Sequence, residues 1–160
     1  MGREIERKFL LKNDNWRTHA DAGRRFRQGY FAAPEDAARQ RASIRVRTDG
    51  DRGFLNIKSY ELGVSRQEFE YPIPLHEAEQ MLDELCEMPQ IEKSRYLVKH
   101  GEHVWEIDVF TGDNDGLVVA EVELEHESEI FQKPDWLGEE VSDDTRYYNV
   151  CLVSHPYKDW

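Results

Sequence analysis

Apolar and charged residues alternate with a period of two along most of this chain, and that alternation is the strongest constraint on its fold. Successive side chains of a β-strand point to opposite faces, so the pattern predicts strands with one apolar and one charged face. Turn-forming segments such as 49–53 and 112–116 separate neighbouring runs, and short connections favour antiparallel pairing. The eight predicted strands cover residues 4–10, 26–31, 43–48, 54–59, 66–73, 91–98, 104–110 and 117–125.

Three segments carry helix signals instead. The clearest, 75–87, lies between Pro74 and Pro89 and places five apolar residues at helical spacing. Those five are Ala78, Met81, Leu82, Leu85 and Cys86. Shorter helices are predicted over 15–22 and 145–152, and a turn at 136–137. Their predicted capping residues are Asp14, Asp143 and Asp144. The chain is therefore predicted to be mainly β (α+β), with helices packed outside an antiparallel sheet.

Length and charge limit the classes of function. A chain of 160 residues is long enough for one domain with a core, so a single domain over 1–160 is expected. Thirty-three acidic and 21 basic residues give a net charge of −12, which argues against nucleic acid or an anionic membrane as the main partner. Cys86 and Cys151 form no C-x-x-C pair, and neither a signal-peptide pattern nor a membrane-spanning apolar run is seen. These features predict a cytoplasmic protein.

The residues that alternate with the apolar ones are mostly ionised. The first and last predicted strands place acids on one face, whereas the third, fourth and sixth place bases there. The ordinary interpretation is a sheet with one solvated, charged face, and alternation alone favours it. Rows of like charges repel on such a face, while a site that holds a polyanion between bases and metal ions needs them. We therefore predict that the charged face lines an interior.

The spacing of the carboxylates suits a hard cation. Alternate residues of a strand lie about 6.7 Å apart on one face, so Glu4 with Glu6, and Glu121 with Glu123, can converge on an ion. Mg²⁺ takes oxygen ligands and shares its remaining positions with water and phosphates. Zinc is disfavoured because the six histidines form no H-x-H or H-E-x-x-H motif. Any phosphate must be bound by side chains, because no glycine-rich phosphate loop is present.

The same residues carry a resemblance to a known family. Residues 4–8, Glu-Ile-Glu-Arg-Lys, resemble the ExExK signature that opens CYTH-family proteins, also called triphosphate tunnel metalloenzymes. Further segments follow in the family's order through almost the whole chain, at 28–30, 44–47, 55–59, 66–73, 92–96, 105–110 and 117–124. The resemblance implies an eight-stranded antiparallel, tunnel-like β-barrel with a charged lumen that binds triphosphates together with divalent metal ions.

The resemblance also implies roles for individual residues. Lys93 and Tyr30 would help to activate water or the leaving group. Phosphates would be bound by Lys8, Arg45, Arg47, Lys58 and Arg95. Metal would be bound, directly or through water, by Glu4, Glu6, Asp108, Glu121 and Glu123. The expected metal is Mg²⁺, with Mn²⁺ as the alternative.

Several functions remain open within this resemblance. The length and the C-terminal segment are most similar to small bacterial inorganic triphosphatases, which implies hydrolysis of the terminal phosphoanhydride of a triphosphate. The alternatives are a class IV-type adenylyl cyclase, a thiamine or nucleoside triphosphatase, and a non-catalytic polyphosphate-binding module. The expected partner is a small triphosphate, and a homodimer is a further alternative to a monomer. Cyclic AMP and free phosphate would distinguish a cyclase from a phosphatase acting on ATP.

Overall fold

A computed structural model describes residues 2–32 and 40–160 of the chain, and in it the β-strands dominate. Antiparallel ladders join neighbouring strands of a single large sheet. The ten strands are β1 (Glu4–Leu11), β2 (Arg24–Tyr30), β3 (Ala42–Thr48), β4 (Gly53–Ser59), β5 (Ser65–Arg66), β6 (Glu68–Ile73), β7 (Ile91–His100), β8 (His103–Phe110), β9 (Val118–Glu123) and β10 (Leu137–Glu140). The two α-helices are α1 (Leu75–Glu84) and α2 (Asn149–Ser154). The predicted mainly antiparallel architecture with accompanying helices is confirmed.

The order of strands in the sheet is β10-β1-β9-β8-β7-β2-β3-β4-β6, and β5 pairs with β1. No ladder among the described residues joins the two ends of this path, β6 and β10, so the prediction of a closed eight-stranded barrel needs correction. The link across the gap is the short β5–β1 ladder, in which Glu4 is opposite Arg66 and Ile5 is opposite Ser65. The strands still curve around a common interior, because β6 pairs with β4 and follows β5 after one residue.

The predicted strand 66–73 is divided at Gln67, which explains one of the two additional strands. The backbone N–H of Gln67 lies 3.0 Å from Ser59 Oγ and 3.2 Å from Glu61 Oε2, so it donates to side chains instead of a ladder. The other additional strand is β10, where we predicted a turn at 136–137. Gly138 allows its close approach to β1, because a Cβ there would lie 2.9 Å from the carbonyl oxygen of Leu10.

The helical predictions are confirmed for α1 and need correction elsewhere. Helix α1 ends at Glu84, and Leu85 after it is exposed rather than packed. Residues 15–19 form a 3₁₀ turn that buries Trp16, not an α-helix. The predicted helix 145–152 is split at Tyr148 into a 3₁₀ turn (Thr145–Tyr147) and α2. Asp144 accepts a hydrogen bond from the backbone N–H of Arg146, as expected of a cap.

The apolar core lies on the outer face of the curved sheet. Trp105, Ile107 and Val122 are fully buried there and pack beneath Trp16 and Trp136. On the opposite side, Ala78 and Leu82 of α1 cover Val46 of β3. The face toward the interior buries Lys8, Arg45, Asn56, Lys93, Asp108 and Glu121 instead. The ordinary interpretation, a solvated outer face of charges, is therefore wrong for these strands.

Within the described part of the chain, no helix combines the length and apolar character that crossing a membrane requires.

Candidate active site

The inward-facing charges line a cavity of about 310 Å³. Five basic side chains and seven carboxylates border it, together with Asn149 from α2. The bases are Arg45, Arg47, Lys58, Lys93 and Arg95, and the acids are Glu4, Glu6, Glu68, Glu70, Glu106, Glu121 and Glu123. All five predicted phosphate-binding residues except Lys8, and all five predicted metal-binding residues except Asp108, are thus brought together around this lumen.

Acids and bases occupy different sectors of the wall. In the order of the sheet, the basic residues lie on β7, β3 and β4, and the acidic ones on β8, β9, β1 and β6. The sectors contact each other where they meet: Lys58 Nζ lies 2.9 Å from Glu4 Oε2, and Arg95 Nη2 lies 3.7 Å from Glu121 Oε2. A ligand in the lumen would therefore face positive charge on one side and carboxylate oxygens on the other.

The basic sector is held by a buried ion cluster around Asp108. Lys93 Nζ donates to Asp108 Oδ2 at 2.7 Å, and Arg95 donates through Nε and Nη2 at 2.7 and 2.9 Å. Burial disfavours ionisation of Asp108, but the charges of Arg95 and Lys93 hold the pKa of its carboxyl well below the usual range. Asp108 itself is completely buried and does not line the lumen.

Lys93 has the properties of a group that could exchange a proton. Its side chain is 1% exposed, and burial lowers its pKa to about 8, although Asp108 opposes this shift. A second contact comes from α2, because Lys93 Nζ also donates to Asn149 Oδ1 at 3.1 Å. Gln28 Nε2 lies 3.2 Å from the same oxygen and 3.4 Å from Tyr30 Oη. The two predicted catalytic residues are thus linked through Asn149 and Gln28.

The acidic sector has the donor chemistry of a site for hard cations. Burial raises the pKa of Glu123, and the nearby charges of Glu4 and Glu6 raise it further, which indicates repulsion within this group of carboxylates. A divalent cation bound by carboxylate oxygens would relieve that repulsion. No preformed cluster of three or more His, Cys, Asp or Glu side chains stands ready in the described residues. Glu4 and Glu121 contact Lys58 and Lys8 in this structure.

The basic sector has hydrogen-bonding capacity left for an anion. The Nε atoms of Arg45 and Arg47 are buried and have no acceptor among residues 2–32 and 40–160. Burial lowers the pKa of Arg47 to about 10, and the charges of Arg45 and Arg95 lower it further. Arg47 Nη2 does donate to Glu70 Oε2 at 3.3 Å, but the two Nε atoms stay without acceptors in the described residues. Cations that repel each other and keep unused donors favour binding of a polyanion, because its oxygens would supply both charge and acceptors.

Lys8 and Tyr30 line a smaller cavity next to the lumen. Lys8 Nζ donates to the carbonyl oxygen of Tyr147 at 3.1 Å and lies 3.5 Å from Glu121 Oε1. Both residues therefore face the end of the lumen that α2 covers rather than its mouth.

Sequence reasoning missed four residues of the lumen wall. Glu68, Glu70 and Glu106 alternate with apolar residues in the same way as the residues that we selected, so the pattern could have identified them. Asn149 had no such signal, because it reaches the site from a helix packed against the strands.

Comparison with known proteins agrees with this geometry. Residues 2–154 match the CYTH domain. An inorganic triphosphatase of Acetivibrio thermocellus is 46% identical over 160 residues, which cover 100% of this chain and 99% of the relative. An inorganic triphosphatase of Nitrosomonas europaea is 39% identical over 154 residues, or 94% of this chain and 96% of the relative.

A solved structure described as an inorganic triphosphatase superposes with a TM-score of 0.64 at 33% sequence identity, and the match covers 94% of this chain and 93% of that one. The family match and both whole-length relatives lead to the same conclusion. This chain belongs to the CYTH domain family.

Proposed function

We propose that this protein is a metal-dependent inorganic triphosphatase that hydrolyses the terminal phosphoanhydride bond of tripolyphosphate in the charged lumen. The observation that carries the proposal is the division of the lumen wall into a basic sector and an acidic sector. Two relatives of nearly the same length are named inorganic triphosphatases, which supports this substrate over others.

The charge of the lumen supports a requirement for metal. Seven carboxylates outnumber five bases around the cavity, so a polyanion alone would be repelled from it. Divalent cations on the acidic sector would reverse that balance. Glu4, Glu6, Glu121 and Glu123 offer oxygen donors of the kind that Mg²⁺ prefers, and Mn²⁺ is the alternative. Bound there, the metal would supply Lewis-acid neutralisation of phosphate charge.

In this proposal the basic sector holds and polarises the phosphate chain. Arg45, Arg47 and Arg95 would donate to the phosphate oxygens and stabilise the charge that develops during transfer, with help from Lys58 and Lys8. Lys93, with its pKa near 8, would place a proton donor beside the leaving oxygen, and Tyr30 would orient the same network. The contacts of Asp108 favour a positioning role, holding Lys93 and Arg95, and metal binding by Asp108 stays a prediction.

The test is release of phosphate from tripolyphosphate with Mg²⁺, run beside Mn²⁺, a chelator, and the substrates ATP, pyrophosphate and thiamine triphosphate. We expect tripolyphosphate to be the best substrate, no turnover with chelator, and loss of turnover in Glu123→Ala and Arg47→Ala. Lys158→Gln, at an exposed ion pair with Asp113, is the matched control. Cyclic AMP formed from ATP without tripolyphosphate cleavage would indicate a cyclase. Tight binding of tripolyphosphate without any turnover would indicate a binding module.

A further inference from the structure

The lumen continues into a second, smaller cavity at the end covered by α2. The two cavities share Glu6, Arg45, Lys58 and Asn149, so a ligand can extend from one into the other. We call the smaller one the end chamber; its volume is about 40 Å³, against about 310 Å³ for the lumen. A cavity needs at least about 10–15 Å³ on this scale to hold one water molecule, and a water occupies about 30 Å³ in the liquid, so the chamber has room for one small group only.

The end chamber is more basic than the lumen. Lys8, Arg45, Lys58 and Arg66 border it, and Glu6 is its one carboxylate among the described residues. Arg45 is 8% exposed, and its Nε atom and that of Arg66 are buried with no acceptor in the described part of the chain. Such an excess of buried donors favours a ligand with concentrated negative charge. An unesterified terminal phosphoryl group carries more charge than an internal one, and therefore fits best.

The side chain of Tyr148 closes the end chamber. Its ring is stacked by two cations, with Arg66 Cζ 5.0 Å and Lys8 Nζ 5.6 Å from the ring centroid. Its hydroxyl donates to the carbonyl oxygen of Ser142 at 3.1 Å, which fixes the ring from behind. Beyond the ring lies a pocket of about 240 Å³ bordered by Tyr60, Leu62 and Cys151. Tyr148 borders both spaces, as do Ser43, Arg66 and Val150, and its ring is the largest side chain in the wall between the basic chamber and this pocket.

We propose that Arg66 and Tyr148 set the register of the phosphate chain: the end chamber takes one unesterified terminal phosphoryl group, and the ring stops further sliding. This inference rests on the proposed function and adds which residues select the terminal bond, including in chains longer than tripolyphosphate. The bond held in the lumen is the one that joins the terminal phosphorus to the next. Water adds to one phosphorus of this bond, the bridging oxygen leaves with the electron pair, and orthophosphate and a shortened chain result.

Linear tetraphosphate tests the register, because terminal and internal cleavage give different first products. With Mg²⁺, the wild-type protein should release orthophosphate and triphosphate in equal initial amounts, as followed by ³¹P NMR. Tyr148→Ala joins the chamber to the pocket beyond it, so the chain can slide by one unit and pyrophosphate should appear as a first product. Tyr148→Phe keeps the ring and should retain terminal cleavage.

Three outcomes would overturn the inference: initial pyrophosphate from the wild-type protein, wild-type cleavage of triphosphate but not tetraphosphate, or a folded, active Tyr148→Ala with unchanged products. Failure of the wild-type protein to cleave tripolyphosphate would instead overturn the proposed function.

A second variant keeps the inference testable if Tyr148→Ala does not fold. Arg66→Gln should raise KM for tripolyphosphate about 10-fold with little change in kcat, because one charge-assisted hydrogen bond to the bound phosphate is lost. Arg66→Lys should restore part of the affinity. Arg146→Gln, at an exposed ion pair with Asp144, is the matched control and should behave as wild type. An unchanged KM in Arg66→Gln would overturn the role of Arg66.

Discussion

Arg95 and Asp108 face each other across the β7–β8 ladder and form a two-pronged contact beneath the lumen wall. The register places them directly opposite, and the carboxylate accepts from Arg95 on both of its oxygens while also accepting from Lys93. One buried anion therefore fixes two of the five bases that line the lumen. This relationship makes Asp108 the residue on which the geometry of the basic sector depends most directly.

Removing the charge of Asp108 should damage stability and activity together. Asp108→Asn removes the anion of the buried Lys93, while Arg95 keeps its contacts with Glu106 and Glu121. Breaking a buried ion pair in this way costs about 3–5 kcal/mol. The measurement is the free energy of unfolding from urea denaturation, beside turnover of tripolyphosphate. Asp113→Asn, which breaks the exposed pair with Lys158, should cost less than about 1 kcal/mol. Equal stabilities of the two variants would contradict the buried-cluster interpretation.

Glu123→Gln should separate stability from activity. Because burial and the charges of Glu4 and Glu6 raise the pKa of Glu123, removing its charge relieves repulsion in the metal-free protein. We expect a Tm in chelator that equals or exceeds that of the wild type, a smaller rise in Tm on adding MgCl₂, and loss of turnover. Glu125→Gln, farther along the same segment and outside the lumen lining, is the control. A full Mg²⁺-induced rise in Glu123→Gln would exclude Glu123 from the metal site.

The Arg7–Glu140 pair should make the free energy of unfolding depend measurably on pH in the acidic range. Arg7 Nε donates to Glu140 Oε2 at 2.9 Å, and this hydrogen bond lowers the pKa of Glu140. A lowered pKa in the folded state adds stability above the unfolded-state value of about 4.3, and that stability is lost as pH falls through the folded-state pKa.

Arg7→Gln should therefore cost about 1 kcal/mol at neutral pH and progressively less toward acid, as measured by urea denaturation across pH. Glu139→Gln, one residue earlier and exposed, should leave the pH profile unchanged. A pH-independent cost in Arg7→Gln would show that packing, not the charge of Glu140, is lost.

The thiol of Cys86 should react slowly with alkylating reagents in the folded protein. Burial raises its pKa to about 11, although Arg27 opposes the shift. The thiolate fraction at pH 8 is then roughly two orders of magnitude below that of an unperturbed cysteine. Iodoacetamide labelling followed by intact mass should be slow in the native state and rapid after denaturation, with Cys86→Ser identifying the site. Rapid native labelling of Cys86 would contradict its partial burial against Val46, Ala78 and Leu82.

The sequence was informative where a residue's role follows from its parity, that is, from which face of the strand its odd or even position places it on. Arg45, Val46 and Arg47 illustrate this: the two arginines line the lumen and Val46 lies fully buried under α1, as alternation requires. The same rule placed Glu4, Glu6, Glu121 and Glu123 together, because β1 and β9 are neighbours in the sheet. Parity needs only local information, and the register between strands then follows from which face is buried.

The parts that could not be predicted depend on contacts between distant segments. Parity cannot tell that Asp108 lies beneath the wall while Glu106, two residues earlier, borders the lumen. Asn149 enters the site because α2 packs across one end of the sheet, and no local pattern encodes that placement. The break between β5 and β6 at Gln67 arises because side-chain acceptors on Ser59 and Glu61 compete with the ladder for the backbone N–H of Gln67.

A ligand bound in the lumen should stabilise the wall where β5 pairs with β1, because this ladder is short. The β7–β8 ladder runs unbroken from Lys93 to His100, whereas the β5–β1 ladder has only the Glu4–Arg66 and Ile5–Ser65 pairs. Two further backbone hydrogen bonds cross this seam, from Glu6 N–H to the carbonyl oxygen of Val64 at 2.9 Å and from Glu68 N–H to that of Gly2 at 3.3 Å. The seam is still shorter than the β7–β8 ladder, so we expect it to separate more readily by local unfolding. Glu4 and Arg66 stand on its two sides, and a phosphate chain bound with its cations would cross-link them. The wall should therefore open less often when the lumen is occupied than when it is empty. Slower amide hydrogen exchange along this seam would then report ligand binding in the absence of turnover.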